Sequence, residues 1–281
     1  MVKAIKNSDM KQGSEAWKDL RSCLITGSQY VPWTRPRHLQ KHKDVVKEKA
    51  AHFTGVAKPT PRSLQRMFDW GHFHEGIARN IYTTRMVVEN APRDVVVKDH
   101  ISMLIDDDGM IAASPDGVVT IENSDNGVIE IKCPVGQYFF RRKDVSDGES
   151  FTTMAPESLT ALYDDMGVKS EVGEKYYDMD NQLRIGGKLE DHYLQCLGNL
   201  HLSGAAWIDY IVYVPFKKWA RESDGTLSNM RVKRLTKDDT LSDWETTRVA
   251  LEKAYGDNEK VFTENIERFL AKHRATDHTT D

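Results

Sequence analysis

Apolar and polar residues recur with two different periods along this chain, and the change of period marks out its parts. Residues 14–22 carry helical spacing, with Ser14 placed to cap the first turn and Glu15 within it. Ile25-Thr-Gly-Ser28 reads as a turn into a second short helix. Pro32, Pro36, Pro59 and Pro61 confine any helix between them to about 38–52, because proline lacks the N–H and clashes with the preceding turn. Over 63–82 a helix is predicted, with Leu64, Met67, Phe68, Ile77 and Ile81 as its apolar set.

The middle of the chain changes to short runs rich in β-branched residues. These are Asp94-Val-Val-Val97, Ser102-Met-Leu-Ile105, Met110-Ile-Ala-Ala113, Val118-Val-Thr-Ile121 and Val128-Ile-Glu-Ile-Lys-Cys133. Asp106-Asp-Asp-Gly109, Pro115-Asp-Gly117 and Asn123-Ser-Asp-Asn-Gly127 separate them with strong turn chemistry, so a β-meander of at least four strands is expected. An amphipathic helix over 190–204 places Tyr193, Leu197, Leu200 and Gly204 along one stripe. Trp207-Ile-Asp-Tyr-Ile-Val-Tyr-Val214 is a further strand. Two C-terminal helices follow, the last with Val261, Phe262, Ile266, Phe269 and Leu270 on one face. This order predicts a single α/β domain over residues 1–275, a central mixed sheet flanked by helices, with 276–281 as a disordered tail.

Charge changes the picture where it is uneven. The 281 residues carry a net charge of −4, yet residues 35–66 hold nine Lys or Arg against Asp44 and Glu48. Residues 144–184 hold ten acids against three bases. A basic insertion at about 31–62 and an acidic insertion at about 144–188 are therefore expected. The basic one offers Lys41, Lys43, Lys47 and Lys49 to a polyanion such as the DNA backbone, or is simply a solvated face. Cys23, Cys133 and Cys196 are too few and too scattered for a disulfide framework, and no Cys-x-x-Cys pair suggests zinc. No apolar stretch is long enough to span a membrane, and Met1–Met10 lacks the apolar core of a secretory signal, so a cytoplasmic setting is expected.

The segment with chemical content is Ser114-Pro-Asp-Gly117 followed by Glu130-Ile-Lys132. Asp116 stands at the mouth of a strand, and Glu130 and Lys132, two apart on the next, leave the same face. Two carboxylates suit Mg²⁺, a hard ion that prefers oxygen. Such an ion polarises a phosphodiester, and a lysine beside it orients water or stabilises developing negative charge. The plain alternative is a turn aspartate and an exposed charged pair on a strand. His72 and His74 lack further ligands at zinc spacing, so they read as surface or core histidines. Trp17 and Trp70 could stack on bases, but buried aromatics are commoner, and Cys133 reads as a small core residue.

Pro115-Asp116, then Glu130-x-Lys132, resembles the PD-(D/E)xK nuclease signature. Four further blocks make the likeness more specific. They are Gln12-Gly-Ser-Glu-Ala-Trp17 with Leu20-Arg21 and Ile25-Thr-Gly-Ser28; Trp70-Gly71 with Glu75 and Ala78-Arg79; Val128-Ile-Glu-Ile-Lys-Cys-Pro134; and His192-Tyr-Leu-Gln195 running on to Gly204 and Trp207-Ile-Asp209. Together with Ala113-Ser-Pro-Asp-Gly117, they resemble the phage lambda exonuclease and YqaJ-type viral recombinase family over most of 12–214.

That resemblance implies a PD-(D/E)xK restriction-endonuclease-like fold. It also implies a Mg²⁺-dependent DNA exonuclease, with Mn²⁺ able to substitute, running 5′→3′ on linear double-stranded DNA to prepare single strands for recombination. Residue by residue, it implies Asp116 and Glu130 as metal ligands with the Ile131 carbonyl nearby, and Lys132 as the catalytic lysine. Glu75 would complete the acidic site, or merely pair with Arg79. Gln195 would position water or phosphate beside the metal site, or simply flank the apolar stripe alongside Asn199. Arg21 and Ser28 would hold the terminal 5′-phosphate, or serve as a surface residue and a helix cap. It further implies a single-strand annealing protein as partner and a ring-shaped trimer around DNA, although the two insertions depart from compact members of the family. An endonucleolytic or structure-specific relative, and an inactive DNA-binding relative, are the alternatives; the intact Asp116, Glu130 and Lys132 set counts against the second.

Overall fold

The computed structural model describes residues 13–35, 39–54, 61–99, 102–135, 154–169, 172–221 and 227–274. The tail at 276–281 and residues 144–153 and 170–171 of the acidic stretch lie outside them. The first elements are α1 (Glu15–Ser22), β1 (Ile25–Thr26), a 3₁₀ turn (Gly27–Gln29), α2 (Tyr30–Thr34), α3 (Leu39–Ala51) and α4 (Arg62–Asn90). Strands β2 (Val95–Lys98), β3 (Leu104–Ile105), β4 (Ile111–Ala113), β5 (Gly117–Ile121) and β6 (Gly127–Lys132) follow. Then come α5 (Pro156–Lys169), α6 (Glu174–Tyr177), α7 (Met179–Gln182), α8 (Glu190–Ser203) and β7 (Trp207–Tyr213). The chain closes with β8 (Ala220–Arg221), β9 (Leu227–Ser228), β10 (Met230–Thr236), α9 (Lys237–Asp257) and α10 (Glu259–Arg274).

The expected mixed sheet is present, in the order β10-β7-β6-β5-β2. Only β6 and β7 run parallel; every other neighbouring pair is antiparallel. The simple meander is not what forms. Strands β3 and β4 leave the main sheet and join β1 in a small one, ordered β1-β4-β3, and β2 pairs with β5 across the gap. Runs of two or three residues carry too little pattern to specify their partners.

Alternation along β6 and β7 sorts two faces. Ile129, Ile131, Trp207, Ile211 and Tyr213 pack with Ala78, Tyr82 and Met86 of α4. Val128, Ile208, Tyr210 and Val212 pack with Leu194, Leu197 and Leu200 of α8. Glu130 and Lys132 share the second face, so α8 lies directly over them. Gly198 on that helix lets α2 come close, since a Cβ built there would stand 2.5 Å from the Tyr30 ring. Tyr30 in turn donates to the Ala112 carbonyl at 2.9 Å, tying α2 to β4. Gly204, at φ +71°, ends α8 in the left-handed conformation that glycine adopts without penalty.

One further expectation fails here. Of the apolar set assigned to α4, Leu64, Met67, Phe68 and Ile81 are exposed. The buried stripe is Trp70, His74, Ala78, Tyr82 and Met86, four apart throughout. The described part of the acidic stretch contributes to the core. Leu162, Met166, Val172, Tyr176, Met179 and Leu183 enter the core from α5 to α7, and the acids occupy the outer faces.

Helix α1 is fastened by one buried carboxylate. Asp19 of α1 meets His52 at 2.8 Å, Lys272 at 2.8 Å and His273 at 3.0 Å, the last two from α10. Burial raises the Asp19 pKa, but the bonds from Lys272, His52 and His273 outweigh it and leave it below the ordinary aspartate value. A carboxyl depressed in the folded state binds protons more readily when unfolded, at about pH 3.9. Its stabilisation is therefore complete above that pH and is lost as pH falls through the folded value. Denaturant titrations between neutral and acid pH should show Asp19→Asn less stable at neutral pH, with a shallower loss towards acid. Parallel pH profiles for mutant and wild type would contradict this role.

Candidate active site

A cavity of about 200 Å³ opens between the two sheets, α4 and α8. Arg21, Thr26, Ser28, Glu75, Asp116, Glu130, Ile131, Lys132 and Gln195 all line it, with His72 at its edge. Every residue singled out for the reacting centre and the phosphate pocket thus meets at one place. The four lysines of the basic segment do not line this cavity.

Asp116 sits just before β5, where its own N–H donates to the Ile129 carbonyl at 2.9 Å. Its Oδ2 accepts from the Ile131 N–H at 2.6 Å, so β6 aims this carboxylate. Glu130 is fully buried. One of its oxygens pairs with the Lys132 ammonium, and the other accepts from Asn199 Nδ2 at 2.7 Å. Lys132 Nζ also donates to Gln195 Oε1 at 3.2 Å. Gln195 and Asn199 stand four apart on α8 and so share a face over the strand. Glu75, from the outer side, makes the expected pair with Arg79 at 2.6 Å and also lines the cavity. Arg79 also pairs with Asp99.

The electrostatics follow from crowding. Burial, then the charge of Asp116, holds Glu130 above the usual carboxylate range, and the same two causes raise Glu75. Burial also raises Asp116. Burial disfavours the Lys132 ammonium, but the charges of Glu130 and Asp116 outweigh it and raise its pKa. Crowded, desolvated carboxylates are a donor set that a hard cation would relieve. Among the described residues no three His, Cys, Asp or Glu side chains form a complete metal cage. Asp116 and Glu130 with a backbone carbonyl still fit Mg²⁺, which is commonly bound through one or two carboxylates plus substrate phosphate and keeps several waters.

At the other end of the cavity Arg21 forms a fork. Its Nη2 donates to Thr26 Oγ1 at 3.2 Å and Ser28 Oγ at 3.1 Å, and its guanidinium lies 4.5 Å from the Trp17 ring centroid. Thr26 and Asn199 are contacts that sequence reasoning did not assign; only the four-residue spacing from Gln195 pointed to Asn199. His74 is a core histidine, 2.8 Å from the Trp70 carbonyl and 2.6 Å from the Tyr163 hydroxyl. Burial lowers its pKa to about 4, against the opposing bond to Trp70.

One expected DNA contact is corrected. Lys41, Lys43 and Lys47 are exposed on α3, but Lys49 is buried and donates to the carbonyls of Arg21 and Leu24. Burial, then the nearby Arg21 charge, lowers its pKa to about 7. Turned inward on the helix, this side chain has no reach to solvent phosphates.

A carboxylate just before β5 and a carboxylate and a lysine on β6 are the residue set of the PD-(D/E)xK signature. The chain belongs to the YqaJ-like viral recombinase domain family, whose model matches residues 16–160. No curated protein matches it. Solved structures similar to it include an alkaline exonuclease (LHK-Exo) from Laribacter hongkongensis, 18% identical with a TM-score of 0.49, covering 92% of this chain and 99% of that one. LHK-Exo in complex with dAMP is 18% identical, TM-score 0.47, covering 90% and 99%. A phage related exonuclease from Haemophilus somnus 129PT is 12% identical, TM-score 0.46, covering 85% and 95%.

If the carboxylates form a cation site, Mg²⁺ or Mn²⁺ should raise the melting temperature of the wild type. A ligand at a hundred times its dissociation constant adds about 2.7 kcal/mol. Asp116→Asn and Glu130→Gln should lose that shift; an equal shift in folded variants would place the cation elsewhere.

Proposed function

We propose that this protein is a divalent-metal-dependent DNA exonuclease that digests one strand of linear duplexes 5′→3′ and leaves single strands for recombination. The observation that carries the proposal is the sharing of one cavity by Asp116, Glu130, Lys132 and Gln195 with the Arg21–Thr26–Ser28 fork. Membership of a viral recombinase family supports it.

Asp116 and Glu130, with the Ile131 carbonyl, would hold Mg²⁺, which when bound supplies Lewis-acid polarisation of the phosphodiester and acidifies a water. Lys132 presents a fixed positive charge where negative charge develops on the phosphoryl oxygens. Gln195 holds the lysine in place and offers its amide to water or phosphate. Water attacks phosphorus, the bond from phosphorus to the 3′-oxygen breaks, and a 5′-mononucleotide leaves. The shortened strand carries a new 5′-phosphate, the group an arginine fork with two hydroxyls is suited to bind. Each cut thus regenerates the end that the anchor recognises. A single-strand annealing protein is the proposed partner for the exposed strand. A ring of three copies would keep the duplex captive between cuts.

Linear duplex should be degraded with Mg²⁺ and spared with EDTA. Lys132→Ala should lower the rate at least 10²–10³-fold, roughly the value of one electrostatic contact to the transition state. A folded Lys132→Ala protein that digests DNA at the wild-type rate would remove the central claim, and cleavage of closed circular DNA would favour the endonuclease reading.

With Lys49 turned inward, the lysines proposed to contact the DNA backbone reduce to Lys41, Lys43 and Lys47. Replacing these three by Gln should weaken duplex binding in Ca²⁺. The slope of log K against log salt should flatten by about 0.9 for each phosphate contact removed. An unchanged slope would make the segment a solvated face.

A further inference from the structure

The loop that forms the fork is held from behind by two side chains that do not line the site cavity. It starts at Arg21 on the last turn of α1 and ends at Thr26 and Ser28, so both halves of the pocket belong to one short stretch. Lys49 of α3 is 4% exposed. Its Nζ donates to the Arg21 carbonyl at 2.9 Å and to the Leu24 carbonyl at 2.6 Å. Asn265 of α10 is 1% exposed, and its Nδ2 donates to the Ser22 carbonyl and the Lys49 carbonyl, both at 3.0 Å. The carbonyls of a helix's last turn lack intrahelical partners, and donors there are favoured by the helix dipole. Here the donors come from two other helices, and they tie the start of the loop to its middle.

We infer that Lys49 and Asn265 are positioning residues for the terminal-phosphate anchor, fixing the backbone of residues 21–24 so that Arg21, Thr26 and Ser28 meet a 5′-phosphate together. This rests on the reading of the Arg21 fork as the 5′-phosphate pocket. Arg21 is already constrained at its tip by Trp17, Thr26 and Ser28. The brace constrains its root. A fork binds bidentately only when both are fixed, and a misplacement of about 1 Å in such a group can cost around 10²-fold. Lys49 thus acts on the phosphate through Arg21, without touching it.

The test compares wild type, Lys49→Met, Asn265→Leu and Arg21→Ala on duplexes with 5′-phosphate or 5′-hydroxyl ends. Two ratios are read: kcat/KM for the two ends with Mg²⁺, and the affinity of the two oligonucleotides in EDTA. Melting curves verify folding. Lys49→Met and Asn265→Leu should each lower the phosphate-to-hydroxyl ratio roughly tenfold or more. Lys49→Arg, which still offers two donors, should retain more of it than Lys49→Met. Should Lys49→Met fail to fold, Asn265→Leu and Lys49→Arg decide by the same ratio. Folded variants that lose activity equally on both ends, or keep the wild-type ratio while Arg21→Ala loses it, would overturn the inference and leave the pocket reading standing. An Arg21→Ala protein with the wild-type ratio would instead overturn the pocket reading.

Discussion

The full burial of Glu130 is the constraint on which this structure turns. A lone carboxylate in the middle of a sheet, under a helix, is costly unless it is paired and hydrogen-bonded. The surroundings are arranged to meet that cost. Lys132 comes from the same strand two residues on, and Asn199 comes from the helix above. Asp116 adds a second negative charge close by, steadied by the Ile131 N–H. Such an arrangement is poor as pure scaffolding, since apolar residues would pack there more cheaply. It makes physical sense as a place prepared for a cation and for a reaction in which negative charge builds up.

The sheet geometry explains why those groups meet. Period-two alternation puts Glu130 and Lys132 on the α8 face, while Ile129 and Ile131 cover the α4 face. The Tyr82 hydroxyl bonds buried Asp209 at 2.6 Å, and Arg234 grips the same carboxylate at 2.8 and 2.7 Å. This network fastens α4 and β10 to β7 on the face of the sheet that α4 covers. Because α4 also carries Glu75 and Arg79, the anchorage at Tyr82 helps set where the outer carboxylate of the site stands. The Arg21 end depends instead on α1, held by Asp19 and by the brace from α3 and α10.

Much of this was legible in the chain. The Ser14 cap, the β6 and β7 strands and the Asp116–Glu130–Lys132 set follow from turn chemistry and alternation. The failures have physical causes. In α4 the buried stripe contains an alanine, a histidine and a tyrosine, so it is less hydrophobic than the exposed stripe of Leu64, Met67, Phe68 and Ile81. Packing chose shape and hydrogen bonding over apolarity. Lys49 looked like its neighbours because charge counting ignores which way a helix turns; one position among the four faces inward. Strands as short as β1 and β3 declare their partners only in three dimensions.

The central claim is that a strand is anchored by its 5′ end beside the reacting carboxylates and shortened from there. The most direct measurement follows the fate of a label at each end of one strand in a linear duplex during digestion with Mg²⁺. The account predicts that 5′ label leaves at once as mononucleotide, while 3′ label stays in long fragments that shorten steadily. Early release of the 3′ label, or long internal fragments carrying the 5′ label, would contradict it.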